Sequence, residues 1–158
     1  MRTAYPWVLT ATLLLAACGS TPPAVRHPAS QLAPEDAQDV AMHAMGLVGT
    51  PYRYGGNTPE GGFDCSGLIG YVYRHSSKPV QAPRTVAQLS DWGSRVDRNS
   101  LRTGDLVVFG SRLSRPTHAG IYVGEGRFVH APSTGGTVRL DRLDGPYWGR
   151  QSQAFRRP

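Results

Sequence analysis

Apolar residues recur every three to four positions through the first helical stretches and every second position after Gly104, and this change of period sets the fold class. Ala37, Val40, Ala41, Ala44, Met45 and Val48 form one helical stripe. Pro34, followed by Glu35 and Asp36, suits its first turn, and Gly49-Thr50-Pro51 ends it. Cys65, Leu68, Ile69 and Val72 repeat the spacing, with Asp64 placed to cap a second helix. A short helix fits the stretch from Pro83 to Ser90. Strand-like runs then follow at 106–109, 118–123, 127–131 and 138–140, separated by Gly and Pro. Helices first and strands afterwards describe an α+β domain, an antiparallel sheet with helices on one side.

A chain of 158 residues with 39% hydrophobic residues supports one such domain and a modest appendage. The appendage is N-terminal. Residues 1–17 carry one basic residue, Arg2, and then an apolar run from Trp7 to Ala17 broken only by Thr10 and Thr12. That run is too short to cross a hydrocarbon core of about 30 Å, and its layout is that of a secretory signal. Leu15-Ala16-Ala17-Cys18 resembles the bacterial lipobox, which implies cleavage before Cys18 and acylation of its sulfur. Residues 18–33 are Ser/Thr/Pro/Ala-rich without apolar periodicity and read as a tether, leaving 34–158 as the folded domain. Gly19 after the acylated cysteine, in place of Asp, favours the periplasmic face of an outer membrane. The formal charge is +6, and +5 once Arg2 is removed, with 16 basic residues against 11 acidic ones. This balance suits an anionic surface such as wall polymer or lipid headgroups. The basic residues are scattered, and a secreted chain does not meet nucleic acid, so a nucleic-acid partner is not expected.

Only two cysteines are present, Cys18 and Cys65, which excludes a disulfide-dense scaffold and a four-cysteine zinc module. With Cys18 acylated, Cys65 has no disulfide partner in the chain. It stands at the predicted start of the second helix, where unpaired N–H groups and the helix dipole favour thiolate. A nucleophilic cysteine needs a base, and the base an orienting group. His118 and His130 fall in one predicted hairpin. A three-residue loop Gly124-Glu125-Gly126 with Gly126 left-handed pairs Val123 with Arg127 and Gly120 with His130. The two histidines then become diagonal neighbours about 7–8 Å apart on one face. The opposite face carries Ala119, Ile121, Val123, Val129 and Ala131 and builds a core. His27, His43 and His75 lack such a setting and are expected to be solvated. Zinc is the rival use of one Cys and two His, but no fourth ligand is evident, and neither a metal nor another cofactor is expected.

Five segments occur here in the order found in the NlpC family of papain-like cell-wall cysteine peptidases, which the chain resembles over about residues 36–157. They are Pro51–Gly56, Phe63–Leu68, Gly104–Phe109, His118–Gly124 and Phe128–Ala131, followed by Tyr147-Trp148 and Phe155-Arg156-Arg157. The resemblance implies a papain-like core with the nucleophile at a helix N-terminus packed on an antiparallel sheet. It implies Cys65 as nucleophile, His118 as general base and His130 as the polar residue that orients it. Tyr52 matches a tyrosine that helps shape the oxyanion site, with Tyr54 a weaker match. Asp64 and Ser66 match the flanks of the nucleophile at the acyl-donor end of the cleft. The implied reaction is amide hydrolysis in peptidoglycan stem peptides, with a thiolate at Cys65 and an imidazolium at His118 as the working pair. The bond is either the γ-D-Glu to diamino acid bond within a stem or a cross-link between stems. An inactive wall-binding scaffold lipoprotein is a competing class, against which the intact Cys65, His118 and His130 argue. An amidase or acyltransferase using the same thiolate is the other, and permuted relatives of that kind place histidine before cysteine.

Overall fold

A computed structural model describes residues 32–110, 115–133 and 136–158 of the chain. The expected signal segment 1–17, Cys18 and the part of the expected tether up to residue 31 lie outside the described residues.

Helix α1 spans Pro34–Gly46 with Pro34 in its first turn, and buries Val40, Ala41 and Ala44. Met45 and Val48, expected on the same stripe, are exposed: Met45 lies in the last turn of the helix, and Val48 falls beyond its end at Gly46. The short strands β1 (Asn57–Thr58) and β2 (Gly62–Phe63) form a small hairpin that delivers the chain to α2, Cys65–Arg74. Helix α3 is a single turn, Val86–Leu89, capped by the Thr85 side chain on the Gln88 N–H. The main sheet then uses β3 (Ser94–Val96), β4 (Leu106–Gly110), β5 (Pro116–Gly124), β6 (Arg127–His130), β7 (Arg139–Arg142) and β8 (Ser152–Arg157). The order is β3-β8-β4-β5-β6-β7, and every pairing is antiparallel.

Strand β8 is paired on both sides although its sequence, SQAFRR, shows little apolar alternation. Its charged end is neutralised: Arg157 donates Nε to Asp105 Oδ1 at 2.8 Å and Nη2 to Asp105 Oδ2 at 2.7 Å. Both faces of the sheet are covered. Helices α1 and α2 pack on Leu106, Val108, Ala119, Ile121 and Val129, while Val107, Phe109, Phe128, Leu143, Trp148 and Phe155 form a second core on the other side. The histidine face is therefore buried too, under the segment that carries Leu143 and Trp148.

The β5–β6 hairpin differs from expectation at its tip. Glu125 (φ 52°) and Gly126 (φ 70°) form a two-residue left-handed turn, and Gly124 pairs with Arg127. A bulge at Val123 absorbs the extra residue, so Tyr122 still faces Phe128 and Ile121 faces Val129. Gly120 thus comes beside His130, where a Cβ would stand 2.7 Å from the Phe128 ring and 3.1 Å from His130 Cβ. Only glycine permits this approach.

Candidate active site

The site starts at the first turn of α2. Asp64 caps it in an extended conformation, and its Oδ1 accepts the Gly67 N–H at 2.6 Å. The same carboxylate accepts from Ser66 Oγ, from the Gly55 N–H and twice from Arg84, five hydrogen bonds in all. Burial alone would raise the Asp64 pKa, but the Arg84 hydrogen bonds and the Gly67 amide hold it below the usual carboxylate range. Gly67 allows this turn to press on the preceding loop, since a Cβ there would meet Gly56 O at 1.9 Å.

Cys65 follows the cap and is half-buried. Burial and the neighbouring Asp64 carboxylate push its thiol up, while backbone N–H groups of Ala119, Ser66 and Cys65 itself pull it down, and the upward causes prevail. The contact with the Ala119 amide sets the sulfur against β5, one residue from His118. Tyr52 joins the same neighbourhood: burial raises its phenol, and so do the charges of Cys65 and Asp64. Its segment is pinned by a bridge to Phe63 and by its own N–H to Gly136 O at 2.8 Å. Ser66 is buried and accepts Arg84 Nη1 at 2.6 Å. Tyr54 is 88% exposed.

His118 and His130 meet as the sheet register requires. His118 Nε2 lies 2.9 Å from His130 Nδ1, and His130 Nε2 lies 3.0 Å from Asp141 Oδ2. Asp141 also accepts Trp148 Nε1 at 2.7 Å and Arg139 at 2.6 and 3.0 Å. Burial raises Asp141, but the bonds from Trp148, Arg139 and His130 outweigh it and keep the group ionised. An ionised carboxylate only accepts, so His130 Nε2 carries its proton there, and the neutral ring's Nδ1 is an acceptor. His118 Nε2 must then donate to it, which leaves His118 Nδ1 as the free basic nitrogen. Trp148 also stacks on the His118 ring at 5.0 Å and 25°.

Burial opposes the ion pair that the resemblance implies. Burial, and then the proximity of His130, lowers the His118 pKa, and burial lowers that of His130 despite its bond to Asp141. The thiol is moved the same way, so burial favours the neutral form of each of these groups.

Arg84, Asp141 and Trp148 were not singled out from sequence for these contacts. Asp141 had a local signal, because Phe128 pairs with Asp141 and His130 with Arg139, so extending the strand past Leu140 puts Asp141 on the histidine face. The remaining histidines stand apart: His75 stacks on Tyr71 at 4.1 Å and His43 meets that ring edge-on, while His27 lies outside the described residues. Among the described residues no group of three or more His, Cys, Asp or Glu is arranged to hold a metal ion.

Comparison with known proteins agrees with the geometry. The model of the NlpC/P60 family matches residues 49–157. Murein DD-endopeptidase MepH of Escherichia coli (strain K12) is 39% identical over 127 residues, which are 78% of this chain and 46% of that protein. Gamma-DL-glutamyl hydrolase of Bacillus subtilis (strain 168) is 37% identical over 119 residues, 75% of this chain and 28% of that protein. The chain thus spans less than half the length of these two curated relatives. A crystal structure of an NlpC/P60 family protein from Bacillus cereus ATCC 10987 superposes with a TM-score of 0.70 at 29% identity, covering 77% of this chain and 39% of that one.

Proposed function

The chain belongs to the NlpC/P60 family, and from that premise we propose a cysteine endopeptidase that hydrolyses amide bonds in peptidoglycan stem peptides. Its nucleophile is Cys65, its general base His118, and His130 orients the base. The observation that carries this reading is the unbroken chain of hydrogen bonds from Asp141 through His130 to His118, next to the residue whose amide meets the Cys65 sulfur.

The chemistry follows from that chain. As the substrate carbonyl approaches, the thiol proton passes to His118 Nδ1 and the sulfur attacks the carbonyl carbon. The buried imidazolium so formed is stabilised through His130 by the Asp141 carboxylate. Backbone donors around Cys65, with Tyr52 beside them, face the developing oxyanion. His118 returns its proton to the leaving nitrogen as the C–N bond breaks, giving a thioester. Water then attacks with His118 again as base, releasing the new carboxylate and restoring the thiol.

The relatives support a peptidoglycan amide as substrate. Their names differ in the bond, one a murein DD-endopeptidase and the other a gamma-DL-glutamyl hydrolase. Mass spectrometry of products from defined cross-linked and uncross-linked muropeptides decides between them. Purified sacculi treated with the wild-type chain release soluble muropeptides, and Cys65→Ala or Cys65→Ser releases none; full activity in either variant refutes the reading.

The proposal extends to location: acyl chains on Cys18 hold the enzyme in the envelope, on the periplasmic face of the outer membrane, with 18–33 as the tether. Two or more acyl chains suffice for this, each buried methylene contributing about 0.8 kcal/mol. Metabolic labelling with a clickable fatty acid marks the wild type, and label retained in Cys18→Ala overturns the anchor.

A further inference from the structure

A cavity of about 800 Å³ opens at the end of the sheet away from Cys65. Its walls are the start of α1, the loop from Leu101 to Asp105, the last residues of β5 and the end of β8. His118 lies near the start of β5 and Gly124 at its end, six residues or about 20 Å further on. Helix α2 runs the same way, from Cys65 to Tyr73, whose hydroxyl donates to the Gly104 carbonyl in the cavity wall. The cavity is thus remote from the substrate cleft. Leu32, Ala37, Leu101 and the Tyr122 ring give it apolar surface. Two carboxylates stand in its wall. Asp105 is 3% exposed and already accepts Arg157 Nε, Arg157 Nη2 and the Arg102 N–H. Glu125 faces solvent and is paired with Arg127. Arg102 is exposed, and its guanidinium has no ion-pair partner among the described residues. The Tyr122 hydroxyl accepts the Gly126 N–H at 3.1 Å, which leaves its proton to donate. An uncompensated guanidinium and a phenol beside apolar walls suit an anion carried on an apolar body, in a volume that takes a drug-sized ligand.

We propose that this cavity binds the phosphodiester headgroup and adjoining glycerol and acyl carbons of an anionic membrane phospholipid, docking the domain on the bilayer with the Cys65 cleft turned away from it. The nearness of that bilayer rests on the anchor reading above. Cys18 and Leu32 are 14 residues apart, at most about 50 Å of chain. An acylated Cys18 therefore keeps the membrane within that distance of the cavity in whose wall Leu32 stands. An anionic leaflet adds attraction for Arg102. A domain held by this end offers its cleft to wall polymer lying beyond the membrane surface.

Hydrogen exchange read by mass spectrometry tests this on the full acylated chain, held in vesicles of phosphatidylcholine with or without phosphatidylglycerol. Exchange in the loop 101–105 slows about 5- to 10-fold where phosphatidylglycerol is present, as for a site four-fifths to nine-tenths filled. Exchange over 64–67 is unchanged. Arg102→Ala removes most of the slowing, and so does Gln38→Glu, an isosteric change on the exposed wall of α1. Both variants keep the wild-type Tm, which separates a lost contact from a damaged fold. Arg150→Ala deletes the same charge at an exposed position outside the cavity and leaves the slowing in place. Slowing that Arg150→Ala reduces as much as Arg102→Ala is diffuse surface attraction and overturns the site. Slowing that neither cavity variant reduces, or none at all, overturns it too. Inorganic phosphate or glycerol 3-phosphate added to phosphatidylcholine vesicles leaves exchange unchanged; equal slowing by either assigns the cavity to a free phosphate and overturns the lipid. A chain without an acyl group on Cys18 that keeps the slowing when phosphatidylglycerol vesicles are added counts against the anchor and for the cavity.

Discussion

Asp141→Asn isolates what the buried carboxylate does. The amide oxygen still faces Trp148 Nε1, Arg139 and His130, because all three donate, so the tautomers of both histidines are preserved and only the charge is lost. By the two hydrogen bonds and the width of the intervening ring, Asp141 lies roughly 8 Å from His118. At an effective dielectric near 20 its attraction for an imidazolium there is about 2 kcal/mol. Arg139, whose side chain is 55% exposed, offsets part of this, leaving about 1–2 kcal/mol, or roughly 5- to 30-fold in kcat/KM. The assay is kcat/KM against pH on one defined muropeptide. Because Asp141 raises the His118 pKa, the variant's acid limb shifts to lower pH while the plateau falls. Loss of a structural contact alone would lower the rate without moving the limb. An Asp141→Asn enzyme with wild-type kcat/KM and an unmoved acid limb refutes the argument.

Other consequences are as direct. The raised Cys65 thiol makes iodoacetamide alkylation slow at neutral pH and faster into the alkaline range; rapid alkylation with a plateau below pH 6 contradicts a raised thiol. Gly120→Ala forces a Cβ to 2.7 Å from the Phe128 ring and 2.8 Å from Val129 O, an overpacking that costs about 1–3 kcal/mol. It is read as a lower Tm together with reduced turnover, and a variant matching the wild type in both excludes the tight approach. The carboxyls of Asp64 and Asp141 are held down in the fold, so their stabilisation is present above the ordinary carboxylate pKa and is lost as pH falls through the lower folded values. Thermal scans show Tm decreasing on that side, and Asp141→Asn flattens the slope; an identical slope in the variant denies the linkage.

The nucleophile's setting was legible because its determinants are local. The Asp64 cap, the stripe Leu68-Ile69-Val72 and the buried face Ala119-Ile121-Val129 all lie within single elements. The register between His118 and His130 survived an incorrect loop because the Val123 bulge compensates for the shorter turn. Strand β8 was not legible, since Ser152–Arg157 is mostly polar and its Arg157 is satisfied by Asp105, 52 residues earlier. Arg84 escaped for the same reason: it lies in a loop and acquires its place by bonding Asp64, 20 residues away. The burial of both histidines depends on Trp148 folding back over the sheet, which no period in β5 or β6 encodes. Asp141 was within reach of pattern reasoning and was lost by ending the strand at Leu140.

The central claim is a thioester on Cys65. Rapid-quench intact-protein mass spectrometry during turnover of a defined muropeptide tests it, with peptide mapping of any adduct. The expected result is an adduct equal to the acyl half of the substrate on the peptide containing Cys65, with neither adduct nor product from Cys65→Ala. An adduct mapped to another residue, or product released by Cys65→Ala at the wild-type rate, contradicts the account.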